Sequence, residues 1–562
     1  MRQIKTLLVS VLLSFIGFQT HATNYYVDAT KGADQNDGLS TAMAWQTISK
    51  VNSVTFQPGD IISFKSGETF TGQFITDGDG TFEQPITVNA YGSGVKPMFV
   101  GEDQYLETII IDNNFWHLDG LDISNDHTPT IGRTGVLVSA NNRKTKHTAL
   151  RNLTIHDCEG LNDAEQSSGF AISYKYQGSG VIDGLLIENN EITSGMMQGV
   201  HGDRGDGWAM RTEQLVVRNN YIHDIGGHGI FINNSIGALV EHNTVQNVGV
   251  GSLVSAEPAW VFSSDDTVFQ HNILSGGKTN LANDGQGMLT GYITHNTLWQ
   301  YNYVSDNGGG CIGNLANGNW NGVNENTIYR YNICINNGYE KDSSIHIAGS
   351  MTNVQIYNNT IYVNLDADHT FVNPYKWGGI HPDGGEFYNN IFYVVNNGFT
   401  ATASTGTATN FVFDNNSWTG NFTNNLDLST SFTGDPGLKN PGSYEEEDYK
   451  LQSNSDLIDM GVVISGAPTV DYFGFAVPSY GMPDIGAYEI NAADEDNVTP
   501  PEDDTTPPED DITPPEDDTT PPEDDNIDSN NSSSGGGVFN LLMLALLLGV
   551  KVRRIKIIPA QF

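Results

Sequence analysis

Basic side chains are scarce in this chain of 562 residues: 25 Lys and Arg stand against 67 Asp and Glu, a formal net charge of −42. Binding to nucleic acid needs a basic footprint on the protein, so nucleic acid is not an expected partner. Only 16% of residues are charged. Cysteine is nearly absent too, and Cys158, Cys311 and Cys334 give no disulfide framework; buried thiols are the expected reading. An apolar run long enough to cross a bilayer is also missing. The stretch Val538 to Val550 falls short of the roughly 20 residues that a membrane helix needs. Apolar residues three and four apart, the mark of helical repeats, are not sustained anywhere in the central region.

What the chain does have is glycine, 62 of them, and a phrase that returns. Asn189-Asn190-Glu191-Ile192, Asn219-Asn220-Tyr221-Ile222, His242-Asn243-Thr244-Val245 and His271-Asn272-Ile273-Leu274 open the series. Tyr301-Asn302, Tyr331-Asn332, Asn358-Asn359, Asn389-Asn390 and Asn415-Asn416 continue it, in steps of 23 to 31 residues. Between the asparagines lie short alternating runs of Val, Ile, Tyr and Phe broken by Gly, which is the grammar of strands and turns. Each repeat is then one coil of short strands, with coils stacked in parallel ~4.8 Å apart. Asn suits the coil corner because it tolerates left-handed backbone and its amide can bond the Asn stacked above. The expected fold is all-β, a right-handed parallel β-helix. A β-propeller is the runner-up, but its blades run longer and its strands antiparallel.

Six segments are expected. Residues 1–22 read as a secretory signal, with Arg2 and Lys5 ahead of the apolar Leu7 to Phe18. Residues 23–86 form an N-terminal cap and first coil, including a short helix at about Trp45 to Val51. Asp28, Asp34 and Asp37 there read as turn residues, with a calcium ion as the alternative. The β-helix covers 87–425 and a closing segment 426–490. Residues 491–534 are an acidic linker of repeated Thr-Pro-Pro-Glu-Asp-Asp, a stiff and solvated spacer. Residues 535–562 carry Gly535-Gly536-Gly537, the apolar Val538 to Val550 and the basic Lys551, Arg553, Arg554 and Lys556.

The opening Asn24-Tyr25-Tyr26-Val27-Asp28, with Pro58-Gly59-Asp60 and the repeats after it, resembles secreted β-helix proteins of the pectate-lyase-like superfamily. The end of the chain resembles the Gly-Gly C-terminal sorting tail of Gram-negative bacteria. That second resemblance implies a sorting protease and the type II secretion machinery as partners, transient membrane contact through the tail, and a secreted or cell-surface location. The chain is expected to act as a monomer.

A β-helix displays its outward side chains in columns, along which a long polymer can lie. Aligning the strands on a Gly-plus-apolar start, at thirty residues per coil, places Phe170, Val200, Ile230 and Trp260 inside. The same alignment makes three outward columns: Ala171, His201, Phe231, Val261; Ser173, Asp203, Asn233, Ser263; and Lys175, Gly205, Ser235, Asp265. Lys175, His201, Asp203, Arg204, Asn233 and Asp265 then share one face. His228, Glu257, Asp284, Lys278, Asp206 and Trp208 lie in or beside the turns that feed it. His346, His381 and Asp383 fall on the same face farther along, as distal subsites or plain surface.

Carboxylates and aromatic rings with few cations suit a carbohydrate. Eliminative cleavage of a uronate polymer needs a base and a neutralising group. His201 or His228 serves as base, and Lys175, Arg204 or Lys278 as base or neutraliser. Asp203, Asp265 and Asp284 are the candidate calcium ligands, and Asn233, Trp208, Lys278, Glu257 and His381 the candidate substrate contacts. Hydrolysis needs two carboxyls instead, and Asp203 with Asp265, two coils apart, would fit an inverting pair. The arginine-centred signature of pectate lyases and the paired aspartates of polygalacturonases are not evident. An exported polysaccharide lyase acting on an acidic glycan is the leading expectation, with an inverting hydrolase or a polysaccharide-binding surface module as alternatives.

Overall fold

The short alternating runs wind into coils of three or four strands each. The computed structural model describes residues 22–491, apart from 127–131, 161–168, 204–210, 254, 279–283, 321, 342, 396–400, 404–407, 421, 425, 427 and 480. The expected signal, the acidic linker and the Gly-Gly tail lie outside the described residues, bar their innermost few positions.

Among the described residues the coils stack into four parallel sheets. Sheet I has 14 strands, from Asn24–Val27 to Val412–Asp414, and sheet II has 14, from Thr69–Thr71 to Phe432–Thr433. Sheet III has 13, from Phe74–Ile75 to Phe422–Asn424. Sheet IV has eight short strands, from Lys144–Lys146 to Met351–Thr352. One coil runs through all four in order, for example Leu186–Glu188, Glu191–Thr193, Met197–Gly202 and Thr212–Glu213. Inward positions stack like on like: Ile187, Val217, Val240, Phe269, Trp299 and Tyr329 form one fully buried column of sheet I. Phe269 and Trp299 lie with ring centroids 3.8 Å apart. This continuous apolar interior is the main driving force for the solenoid.

The recurring asparagines form a buried ladder at the corner between sheets I and II. Asn190, Asn220, Asn243, Asn272, Asn302, Asn332, Asn359, Asn390 and Asn416 each stand one rung from the next. The backbone N–H and the side-chain amide of each donate to the Oδ1 of its successor at 2.9–3.1 Å. The left-handed position is the residue before the ladder asparagine. There φ is 56° at Asn189, 54° at His242 and 56° at Tyr301. The bonding asparagine and the left-handed residue are thus neighbours, and only the first must be Asn.

The thirty-residue register of sheet III needs correction. Ser173 pairs with His201, His201 with Phe231, and Phe231 with Trp260. Phe170 and Trp260 therefore face outward, while Ala171 and Val261 are buried inside. A slip of one residue in a strand turns every side chain to the opposite face. The alignment slipped because two successive residues point inward where each strand enters sheet III. The first of them is a glycine in several coils: a Cβ on Gly229 would lie 2.3 Å from Val245, and one on Gly287 2.2 Å from Val304. Gly-plus-apolar pairs elsewhere, such as Gly169-Phe170, are not that entry pair.

Two of the three cysteines also depart from expectation. Cys311 of sheet III and Cys334 of sheet II are joined as a disulfide across the interior, leaving Cys158 as a buried thiol.

In the cap, the helix is shorter than expected, Ile48–Val51, with Thr47 accepting the Lys50 N–H. Trp45 instead bridges to Val27 and stacks on Tyr25. Asp28 holds Lys65 at 2.6 Å, and Asp34 accepts the N–H groups of Gln46 and Thr47, so both tie turns together.

The closing residues lie along the side of the coils. Leu438, Tyr449, Leu451, Leu457 and Ile485 bury the outward Tyr303, Ile333, Ile335 and Tyr362 of sheet II. Tyr303 Oη donates to Tyr444 O and Tyr301 Oη to Val470 O, both at 3.0 Å. On earlier rungs of the same column Tyr221 and Ile273 stay exposed, so the cover begins at Tyr303.

Candidate functional site

The outer face of sheet III carries three columns. At the strand starts stand Gln198, His228, Glu257 and Gln286, successive through the pairing that sets Val200 against Ile230, Ile230 against Ala259 and Ala259 against Met288. The middle column is Ser173, His201, Phe231, Trp260, Leu289, Gly313 and His346. At the far side Lys175 and Asp203 form an ion pair at 3.2 Å, and Asn233 pairs with Phe262 beyond them.

The expected site residues divide accordingly. Lys175, His201, Asp203, His228, Asn233 and Glu257 share this face, and Asp284 sits where the next strand begins. Asp265 does not belong with them. The chain turns at Ser263, where φ is 45°, and Asp265 lies on sheet IV with the His295 Nδ1 2.5 Å from its carboxylate. Asp203 and Asp265 therefore cannot form the anticipated inverting pair across one groove, and Asp203, Asp265 and Asp284 do not converge as a calcium site. Among the described residues no group of three or more His, Cys, Asp or Glu is placed to hold a metal ion. Ser235 likewise belongs to sheet IV. His381 is exposed in the stretch between the strands His369–Tyr375 and Gly385–Tyr388, off the sheet III face. Asp383 bonds Thr409 and Asn410. His346 does lie in the middle column but is only 1% exposed. Arg204, Asp206 and Trp208 lie outside the described residues.

Chemistry concentrates at the strand starts. Nδ1 of His228 is 2.5 Å from the Glu257 carboxylate, and the other oxygen of Glu257 accepts the Gly285 N–H at 2.8 Å. Burial would lower the His228 pKa, but Glu257 and Asp284 outweigh it and hold the imidazole above its ordinary value. Asp284 is the counterpart. Burial first, and the neighbouring Glu257 second, push its carboxyl up to about 7, against the opposing pull of His228 and Lys341. Asp284 thus carries a carboxyl whose proton exchanges near neutral pH, on the coil next to Glu257, as an acid catalyst requires. The sequence pointed to these residues as turn residues next to strands, but not to their mutual contact.

His201 has a different character from the base expected of it. Burial pushes its pKa down to about 3, although Asp203 opposes this. Nδ1 is 2.7 Å from Gln198 Oε1, and the ring lies between Phe170 at 4.3 Å and Phe231 at 5.2 Å. This is a neutral, weakly basic imidazole in an aromatic row. Phe231 and Trp260 continue the row at 4.3 Å and 23°, and the His228 ring is 5.3 Å from Trp260. Lys278 stands at the rim: its backbone bridges to Ala256, and Nζ donates to Tyr339 Oη at 3.2 Å.

Residues 107–328 match the right-handed β-helix region family. The chain is 25% identical to the lacto-N-biosidase of Bifidobacterium longum subsp. longum, over 83% of its own length, and spans 36% of the length of that relative. In fold it is similar to the GH136 lacto-N-biosidase from Eubacterium ramulus, with 19% identity, a TM-score of 0.44, and coverage of 73% of this chain and 68% of that one. It is also similar to a PL6 family alginate lyase, with 14% identity, a TM-score of 0.48, and coverage of 76% and 58%.

Proposed function

We propose that this chain is a glycan-cleaving enzyme that works by hydrolysis, with Asp284 as proton donor and Glu257 as its carboxylate partner. The observation that carries this is the half-buried Asp284 on the coil next to Glu257, its carboxyl pushed up to about 7. Asp284 would give its proton to the glycosidic oxygen as the bond to the anomeric carbon breaks. Glu257, fixed by His228 and the Gly285 N–H on the neighbouring coil ~4.8 Å away, would attack that carbon as the nucleophile and hold the sugar as a glycosyl ester. Asp284, now a carboxylate, would take the proton of the water that displaces Glu257 from the sugar, which releases the product and returns both groups to their starting forms. The lacto-N-biosidase relative supports hydrolysis over elimination. Two of the five groups expected to drive elimination weigh against it: His201 is weakly basic, and Lys175 is already paired with Asp203.

The test is a glycan panel incubated with the secreted region. Hydrolysis releases reducing ends with no rise in absorbance near ~235 nm, whereas a rise on an alginate- or pectate-like polymer would overturn the reading in favour of a lyase. Export to an oxidising compartment is part of the proposal and is supported by the Cys311–Cys334 disulfide. Release or sorting at the Gly-Gly tail would show as a C-terminal truncation in the mass of the extracellular protein.

A further inference from the structure

The outer face of sheet I carries two columns that the sheet III residues do not use. Leu186, Val216, Leu239, Val268 and Leu298 follow one another on successive rungs, each half-buried, and Ile328 comes next. At the Ile328 end the chain covers this face itself. Ile328, Ile464, Ala467 and Val477 pack against the cluster of Tyr301, Tyr331 and Tyr357, and Arg330 donates to Gly466 O at 3.1 Å. The aliphatic column thus runs on past the edge of a contact the closing residues already make. Rungs lie ~4.8 Å apart, so the five rungs from Leu186 to Leu298 span ~19 Å.

The polar column beside it decides what kind of partner fits. Arg151 and Arg218 both pair with Glu188, at 2.6 and 2.7 Å. Farther on, Gln270 donates to Glu241 and Gln300 to Gln270, both at 2.9 Å. The ladder therefore leans one way as far as Arg218 and the other way from Glu241. These two are opposed on adjacent rungs, yet among the described residues no ion pair joins them, and the Arg218 side chain is 40% exposed. A cation and an anion so placed exchange positions under a two-fold axis, which makes the face complementary to itself. Most of the chain is acidic, with a net charge of −42, whereas arginine and glutamate alternate here. Two copies can approach on this face without the repulsion they meet elsewhere.

We propose that the outer face of sheet I is the interface between two copies of this chain, related by a two-fold axis that runs along the strands between the Val216 and Leu239 rungs. That axis sets Val216 against the partner's Leu239, Leu186 against the partner's Val268, and Arg218 against the partner's Glu241. The aliphatic columns then cover each other, and two ion pairs form where the ladder breaks. Such a dimer differs from the monomer expected from the sequence. The footprint is small beside the about 800 Å² per partner of a standard interface, so association should depend on concentration. Sedimentation equilibrium of the intact chain should show the mass doubling as concentration rises. Leu239→Lys should weaken the dimer at least about tenfold, the effect of losing a central contact. Glu241→Arg should weaken it as well, by setting arginines face to face. The register has its own test. In a Leu186→Cys/Val268→Cys chain the two thiols are ~14 Å apart within one copy, but each faces its counterpart across sheets ~10 Å apart. Bismaleimidoethane should therefore link that variant into dimers and leave Leu186→Cys alone largely monomeric. Cys158 is buried and Cys311 is joined to Cys334, so no other thiol competes. A chain that stays monomeric at every concentration overturns the inference. Protection of a Leu239→Cys thiol from maleimide in that monomer would show another segment of the same chain on the face. A dimer unchanged in both Leu239→Lys and Glu241→Arg, with wild-type melting temperatures, also overturns it by placing the contact elsewhere.

Discussion

Glu257 and His228 are directly opposed on neighbouring coils, their side chains 2.5 Å apart at the mouth of the sheet III strands. Glu257 is only 2% exposed, so the pair is held in a place where neither partner is easily replaced. His228→Asn would leave a buried carboxylate without its cation. Loss of one partner of a buried pair typically costs about 3–5 kcal/mol. The raised His228 pKa fixes the pH dependence: its stabilising contribution is complete below the unfolded histidine value and is lost as pH rises through the folded one. The melting-temperature gap between wild type and His228→Asn should therefore be widest near pH 5–6 and narrow above neutrality. A gap that widens with pH would contradict the pairing.

Asp284 must carry a proton to act as the acid, so turnover should decline as pH rises past about 7, the value to which burial and Glu257 push it. Asp284→Asn should reduce kcat by roughly 10²–10⁴-fold, the range of acid–base assistance. Glu257→Gln removes the neighbouring charge and should bring the Asp284 pKa down, which carbon-detected NMR of the carboxyl resonance would register independently of activity.

The asparagine ladder makes a sharp stability forecast. Asn272→Ala would remove the acceptor for both the N–H and the amide of Asn243, and the donor that Asn302 and Val240 receive. Each buried donor left without a partner costs about 1–3 kcal/mol. Urea denaturation of this variant should show a loss of at least that size, whereas Asn189→Asp, at the left-handed position beside the ladder, should be milder.

Mass mapping of the non-reduced protein should recover Cys311 and Cys334 in one linked fragment and Cys158 as a free thiol. Replacing both linked cysteines by serine should lower stability by about 3 kcal/mol, the loop-closure effect for a separation of this order.

The closing residues contain three buried acids with raised pKa values: Asp471 and Asp484 pushed up to about 6, and Glu489 to about 7, in each case chiefly by burial. Raised folded values mean that protons are bound more tightly in the folded state. Their contribution is fullest below the unfolded carboxylate range and is lost as pH rises through 6 to 7. Amide exchange at 457–490 should therefore be slower, after correction for intrinsic rates, at pH 5 than at pH 8.

The β-helix and its asparagine corners were legible because both depend on local periodicity. Alternation says which residues face the core, and a repeated Asn has a bonding reason to repeat. His201, Asp203, His228, Asn233 and Lys175 were placed on one face because a strand pair in approximate register still shares a face. Asp265 and Trp260 were misplaced because coil lengths vary and a single-residue shift inverts a strand. A glycine marks the double inward step at the strand entry in some coils only, and nothing local marks the corner at Ser263. The disulfide and the covering of sheet II by the closing residues were hidden for a related reason: each joins positions whose proximity follows only from the stacked coils.

The residues alone determined the solenoid, since a strand period of two and a corner asparagine encode a coil whatever lies above or below it. Tertiary structure decided which acids meet: stacking brought Glu257 between His228 and Gly285 and sank Asp284 beside it, while it carried Asp265 round a corner to His295. Proximity across coils depends on the exact number of residues in each turn, and burial sets a carboxyl's proton affinity only once its neighbours are in place.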